Sequence, residues 1–315
     1  MTIDEMKHNI REAMFSGVAH GISVFSCVKE ENGISLKKFI INDQLRDNIN
    51  EVLDSAVTHK FLEDDVEIDS IENVADNRKV LYEIEPTANY NPFDFLNTYA
   101  GIVRQYSESD QDALVGFAFR VNTNESAIWL YQHVYHSRMV KRSKSLYAMI
   151  SRNNTYVPLS HDVLKIDSKV DIVIVGGKII TSNISLLQQY FGFEQYVRNE
   201  AAKTIEIISG LDIVSNIEKI LTFESKEKLT NAKKLLKAKS SPVLKLSKMV
   251  LFDRIKVHPR YKDKFRFEEN RIIINSLKDV NELLKMLNDN IVRSELTNQE
   301  YESPSKHILE PLAIA

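Results

Sequence analysis

Only one cysteine, Cys27, occurs in the 315 residues, so no internal disulfide and no multi-cysteine metal site can form. Glycine and proline are scarce, at 9 and 7 residues, which argues against a loop-rich or disordered chain. No apolar run reaches the roughly 18 residues that a membrane-spanning helix needs. The opening residues, Met1-Thr2-Ile3-Asp4-Glu5, lack the basic-then-apolar order of a signal peptide. Together these absences give the expectation of a cytoplasmic protein. Also missing are a P-loop, a dinucleotide-binding glycine fingerprint and a Ser, His or Cys nucleophile signature. Cys27 itself lies in an apolar strand pattern and reads as buried and inert.

What is present is an ordinary core-forming composition and an uneven distribution of charge. The chain carries 41 Lys+Arg against 44 Asp+Glu. Residues 1–125 hold 11 basic and 23 acidic side chains, a net of −12, whereas 226–271 hold 15 and 5, a net of +10. A basic block of that density favours a polyanion, and nucleic acid is the commonest one in a cell. The plainer alternative is a solvated lysine-rich helix, docked on the acidic front of the same chain or of a second copy.

The pattern predicts helices over 3–15 and 43–62, the latter with Leu45, Ile49, Val52, Leu53, Ala56 and Val57 on one face. Strands are expected at 18–28, 34–41, 79–84, 113–121 and 126–135, with a helix from Pro92 to about Tyr106. Residues 63–79 read as a loop or short strand. Gly176-Gly177, between 170–175 and 178–181, fits a two-residue primed hairpin turn better than a phosphate loop. Helices follow at 184–191, 194–209, 213–222, 226–239 and 243–252, then a hairpin around Glu268-Glu269-Asn270. Ser276 with Asp279 opens a last helix, buried through Leu277, Val280, Leu283, Leu284 and Leu287. Helices and antiparallel hairpins without regular alternation predict an α+β fold. Its acidic part is 1–165 and its basic part 166–315, as two domains or one continuous one.

Within the basic block, helical spacing puts Leu229, Ala232, Leu235 and Leu236 on one side. Lys226, Lys233 and Lys237 form a neighbouring stripe, with Lys234 beside it. Lys239, Lys245, Lys248, Arg254, Lys256, Arg260, Lys262, Lys264 and Arg266 extend the set. All thirteen read as phosphate contacts, which carry no sequence information. Tyr261, Phe265 and Phe267 are interleaved with them and either stack on bases or pack in the adjoining hairpin. A smaller cluster, Arg138, Lys141, Arg142 and Lys144, follows His133 and His136. That pair has the spacing of metal ligands but no third ligand nearby, so surface or satisfied histidines are the simpler reading. The carboxylates Glu63, Asp64, Asp65, Glu67 and Asp69 form a solvated run, and Asp110 and Asp112 read as turn residues. No catalytic residue, metal site or cofactor follows from these patterns.

Three stretches carry a resemblance: VDIVIVGGKIITSN at 170–183, LLQQYFGFEQYV at 186–197 and LLKMLNDNIVRSELTNQEYESPSKHIL at 283–309. They resemble the KwaB family, the B proteins of the Kiwa phage-defence system. Asn288-Asp289-Asn290, Tyr301 and Lys306 belong to that resemblance without any chemistry of their own. It implies a DNA-binding effector acting against phage, and a partner, the small membrane protein KwaA, that recruits the chain to the inner membrane. The opposed charges of the two parts suggest a homodimer or higher oligomer. The leading reading is a binding effector that holds DNA with little sequence preference. A metal-dependent nuclease and a pure assembly module are the alternatives.

Overall fold

The structure is a computed structural model that describes residues 2–15, 21–73, 80–100, 103–122, 127–135, 139–140, 149–152, 155–158, 163–225, 229–258, 261–293, 296 and 299–302. It is α+β, as the pattern predicts. The chain divides into two compact units, Met1–Asp69 with Lys79–Ser185, and Ser70–Arg78 with Leu186–Ala315.

The first unit contains helices α1 (Ile3–Phe15) and α2 (Asp43–Phe61) and strands β1 (Ile22–Glu30), β2 (Gly33–Lys38), β3 (Glu67–Ser70), β4 (Val80–Ile84), β5 (Leu114–Asn122) and β6 (Ala127–His133). Short strands β7 (Met139–Val140), β8 (Met149–Arg152), β9 (Thr155–Pro158) and β10 (Val163–Leu164) follow, then β11 (Ile172–Val175) and β12 (Lys178–Thr181). Eight strands form one sheet in the order β2-β1-β5-β6-β11-β12-β4-β3, while β7 pairs with β10 and β8 with β9. Val24, Phe119, Leu130, Val173 and Ile180 align across one face. Met6, Ile10 and Ala13 of α1, and Ile49, Leu53 and Ala56 of α2, share their core; both sets follow the helical i, i+4, i+7 spacing. Asn42 fixes the start of α2 by accepting the Leu45 N–H at 2.8 Å.

On the opposite face Phe25, Ala118, Tyr131, Ile172, Thr181 and Tyr82 align. Aromatic rings cover them: Tyr99 meets Phe25 at 5.4 Å and Trp129 at 5.7 Å, and Phe93 meets Tyr131 at 5.3 Å. Strands buried on both faces lose the polar half of the alternation, which explains the long apolar runs of β5, β6 and β11. Gly116 is required by this packing, since a Cβ there would meet the Tyr131 ring at 2.5 Å.

Two expectations change in this unit. The helix predicted from Pro92 to Tyr106 is a 3-10 stretch, Asp94–Ala100. Asp94 Oδ1 accepts from the side chains of both Asn91 and Asn97, local bonds that compete with α-helix. Beyond it, the Lys38 N–H donates to Arg104 and the Tyr106 N–H to Lys38, so 104–106 runs along β2. Leu45 is 44% exposed and lines a cleft of about 440 Å³ with Phe39, Ile41, Phe117 and Leu164.

Helix α3 (Ile184–Tyr190) spans the boundary in sequence. The second unit contains α4 (Phe193–Gly210), α5 (Ile217–Ser225), α6 (Thr230–Lys239), α7 (Lys248–Val257) and α8 (Leu277–Leu287), with hairpins β13 (Phe267–Glu268)/β14 (Arg271–Ile272) and β15 (Ile291–Arg293)/β16 (Glu300–Glu302). Val280, Leu283, Leu284 and Leu287 form the buried face of α8, and Ser276 and Asp279 close a reciprocal capping box at its start. Helix α5 begins four residues later than predicted because Ile213 and Ser215 hydrogen-bond to Ile272 at 2.8 and 3.0 Å. The helix predicted at 243–252 is also displaced. Ser241 and Pro242 open a separate 3-10 turn ending at Lys245, and Ser247 caps α7 by accepting the Val250 N–H.

Candidate nucleic-acid interface

Helix α6 carries the predicted lysine stripe, and the structure embeds it. Asn231, Ala232, Leu235, Leu236 and Ala238 are buried. Asn231 donates to the Phe223 carbonyl of α5 at 2.8 Å, and Asn288 donates to the Lys234 carbonyl at 3.1 Å. The Lys234 ammonium reaches Asn281 of α8 at 2.9 Å and lies over the Phe223 ring. Lys233 and Lys237 are half-buried on the same helix. Lys226, the first member of the stripe, lies outside the described residues, as does Arg260.

A second group is committed to carboxylates. Lys239 pairs with Glu200 of α4, which also accepts from Lys203 at 2.6 Å. Burial pushes the Glu200 carboxyl up, but the two ammonium groups outweigh it and hold it below the ordinary range. Glu72 beside them is raised, by burial first, with Lys239 opposing and Glu200 adding. Lys248 and Arg271 share Asp212, at 2.8 and 2.7 Å, and Asp212 is lowered by those hydrogen bonds. Lys264 pairs with Glu282 at 2.6 Å.

The remaining predicted cations, Lys245, Arg254, Lys256, Lys262 and Arg266, are exposed. None makes an ion pair among the described residues. They sit on α7 and on the turns before and after it. Leu251, Phe252 and Ile255 anchor that helix. Tyr261 and Phe265 are buried, and Phe267 packs edge-on to Phe252 at 5.9 Å. These aromatics support the cationic segment from beneath. Among the described residues, the predicted cations left available to an outside anion are therefore centred on α7, and α6 serves as a structural helix.

Not legible in the sequence is what α7 shows between its cations. Met249 and Val257 are each 77% exposed and Val250 is 41% exposed. The cap at Ser247, which fixes the register of the helix, is the signal that locates them.

Elsewhere, His133 is buried, with Nδ1 3.2 Å from the Tyr131 hydroxyl. His136, Arg138, Lys141, Arg142 and Lys144 lie outside the described residues. Cys27 is buried on β1, and burial pushes its thiol pKa up. Asp110 pairs with Lys37 at 2.6 Å. No group of three or more His, Cys, Asp and Glu is placed to hold a metal ion among the described residues. Among them also, no helix is long and apolar enough to cross a membrane.

Fold and site define a class, an α+β protein whose second unit presents a capped helix with exposed cations that make no ion pair among the described residues. Residues 111–297 match the profile of the Kiwa protein KwaB-like family, more than half of the chain, and the chain belongs to that family. It is thus a component of a Kiwa-type antiviral defence system. Searches of curated proteins and of solved structures return no match.

Proposed function

We propose that the chain is the DNA-binding effector of its defence system, holding the DNA of infecting phage through the phosphate backbone. The observation that carries this reading is the set Lys245, Arg254, Lys256, Lys262 and Arg266, exposed and free of ion pairs among the described residues. Phosphate contacts position a protein on any duplex, which suits a defence effector that meets unfamiliar DNA. Family membership supports two further parts of the proposal: residence in the cytoplasm, and recruitment to the inner membrane by the membrane protein KwaA. Self-association into a homodimer or higher oligomer is supported by the acidic and basic segments of one chain. Fluorescence anisotropy with several unrelated duplexes at physiological salt tests the core of this reading. The wild-type chain should bind all of them, and replacing the five cations with serine should abolish binding while leaving the melting temperature in place. Equal binding by wild type and variant, or none by wild type, overturns it.

A further inference from the structure

The five cations account for backbone attraction but not for the apolar side chains exposed among them. At about 100° per residue, Met249, Asp253, Val257 and Val250 share roughly 100° of the outward circumference of α7. Lys256 stands about 20° outside one edge of that arc and Arg254 about 40° outside the other. The opposite side is held by buried Leu251, Phe252 and Ile255. A capped helix thus displays an apolar strip with one carboxylate in it and a cation along each flank.

We infer that α7 is a major-groove helix, whose Met249 and Val257 contact base edges while Arg254 and Lys256 reach phosphates on either side. This assignment rests on the DNA-binding reading and deepens it. The major groove admits an α-helix and is the groove in which thymine presents its C5-methyl group to an apolar side chain. The two flanking cations complement a groove bounded by two phosphate backbones. Asp253 discriminates between polyanions. In the groove its carboxylate can accept from the cytosine N4 amino group, whereas on an anionic bilayer it would enter the face meant for lipid. Interfacial helices also place Trp, Phe or Leu on that face, and the outward arc of α7 holds none. Phosphate contacts alone give no base preference, so α7 adds a modest preference for thymine.

The test compares one duplex with the same duplex carrying uracil in place of thymine, which removes the C5-methyl groups and leaves the pairing. The wild-type chain should bind the thymine duplex more tightly, by about fourfold for each methyl it contacts. The Met249→Ser/Val257→Ser variant should bind both duplexes equally, near the affinity of wild type for the uracil duplex, with unchanged salt dependence. Both positions are exposed, and circular dichroism checks that the variant is folded. Equal wild-type affinity for the two duplexes overturns the assignment and leaves the DNA-binding reading standing. If wild type binds neither duplex, the DNA-binding reading falls and the assignment with it. Phosphatidylglycerol vesicles supply the competing arm. Vesicle binding that is lost in the variant, with DNA binding unchanged, would assign the strip to a membrane and overturn the groove assignment.

Discussion

Replacing Lys239 with methionine should weaken the fold and spare DNA binding. Lys239 is one of the cations that charge alone assigns to the interface, yet its ammonium is bonded to Glu200, whose side chain is 5% exposed. Glu200 keeps a second partner, Lys203 at 2.6 Å, so the variant does not leave a bare charge. Breaking a fully buried pair costs about 3–5 kcal/mol and an exposed pair about 0–1 kcal/mol. With one ammonium remaining, a loss of about 2 kcal/mol is expected from urea unfolding at pH 7, with the m-value unchanged. The pH dependence gives an independent check. Glu200 is held below its ordinary range in the fold, so its stabilisation is present above the unfolded carboxylate pKa and fades as pH falls through the folded value. The gap between wild type and Lys239→Met should therefore close in acid. In the Glu200→Gln background the same substitution should cost clearly less, because the pair acts as a unit. DNA affinity should change less than twofold. A variant as stable as wild type but impaired in DNA binding would refute this assignment and return Lys239 to the interface.

Other predictions follow from buried and strained groups. Burial pulls the Lys60 pKa down to about 8, the Asp171 charge partly opposing and the Lys169 charge adding. Between that value and its unfolded range the unfolded chain binds more protons, so the stability of wild type should rise with pH there. Relative to Lys60→Met the gain should be about 3 kcal/mol from pH 8 to 10.5, and parallel pH curves for the two proteins would count against it. Glu269 and Asn270 turn the β13–β14 hairpin with φ of 45° and 57°. Glu269→Asn should raise stability by about 0.5–1 kcal/mol in thermal unfolding, since asparagine tolerates that region better. Cys27 should resist iodoacetamide in the native protein and react only after unfolding, because burial disfavours its thiolate; native labelling would contradict its placement.

Much of the fold is legible wherever the determinant is local. Gly176-Gly177 marks its hairpin because both residues take positive φ, 56° and 73°, and Ser276 with Asp279 marks the start of α8. The 3-10 stretch at 94–100 is legible only in part: the Asn91, Asp94 and Asn97 side-chain bonds are local, but the pairing of 104–106 with Lys38 that stops a longer helix is not. The partition of the cations is also hidden. The carboxylates that occupy Lys239, Lys248 and Lys264 lie 39, 36 and 18 residues away in sequence, so only the folded second unit separates structural lysines from available ones. Composition finds the basic block. The start of α7 at Ser247 decides which of its side chains face outward.

The most direct test of the central claim is the salt dependence of duplex binding by wild type and by Arg254→Ser/Lys256→Ser/Lys262→Ser. Each neutralised phosphate contributes about 0.9 to the slope of log affinity against log salt. The triple variant should therefore flatten the slope by about 2.7 while unfolding at the wild-type midpoint. An unchanged slope and affinity in the folded variant would contradict the claim that the segment around α7 holds DNA.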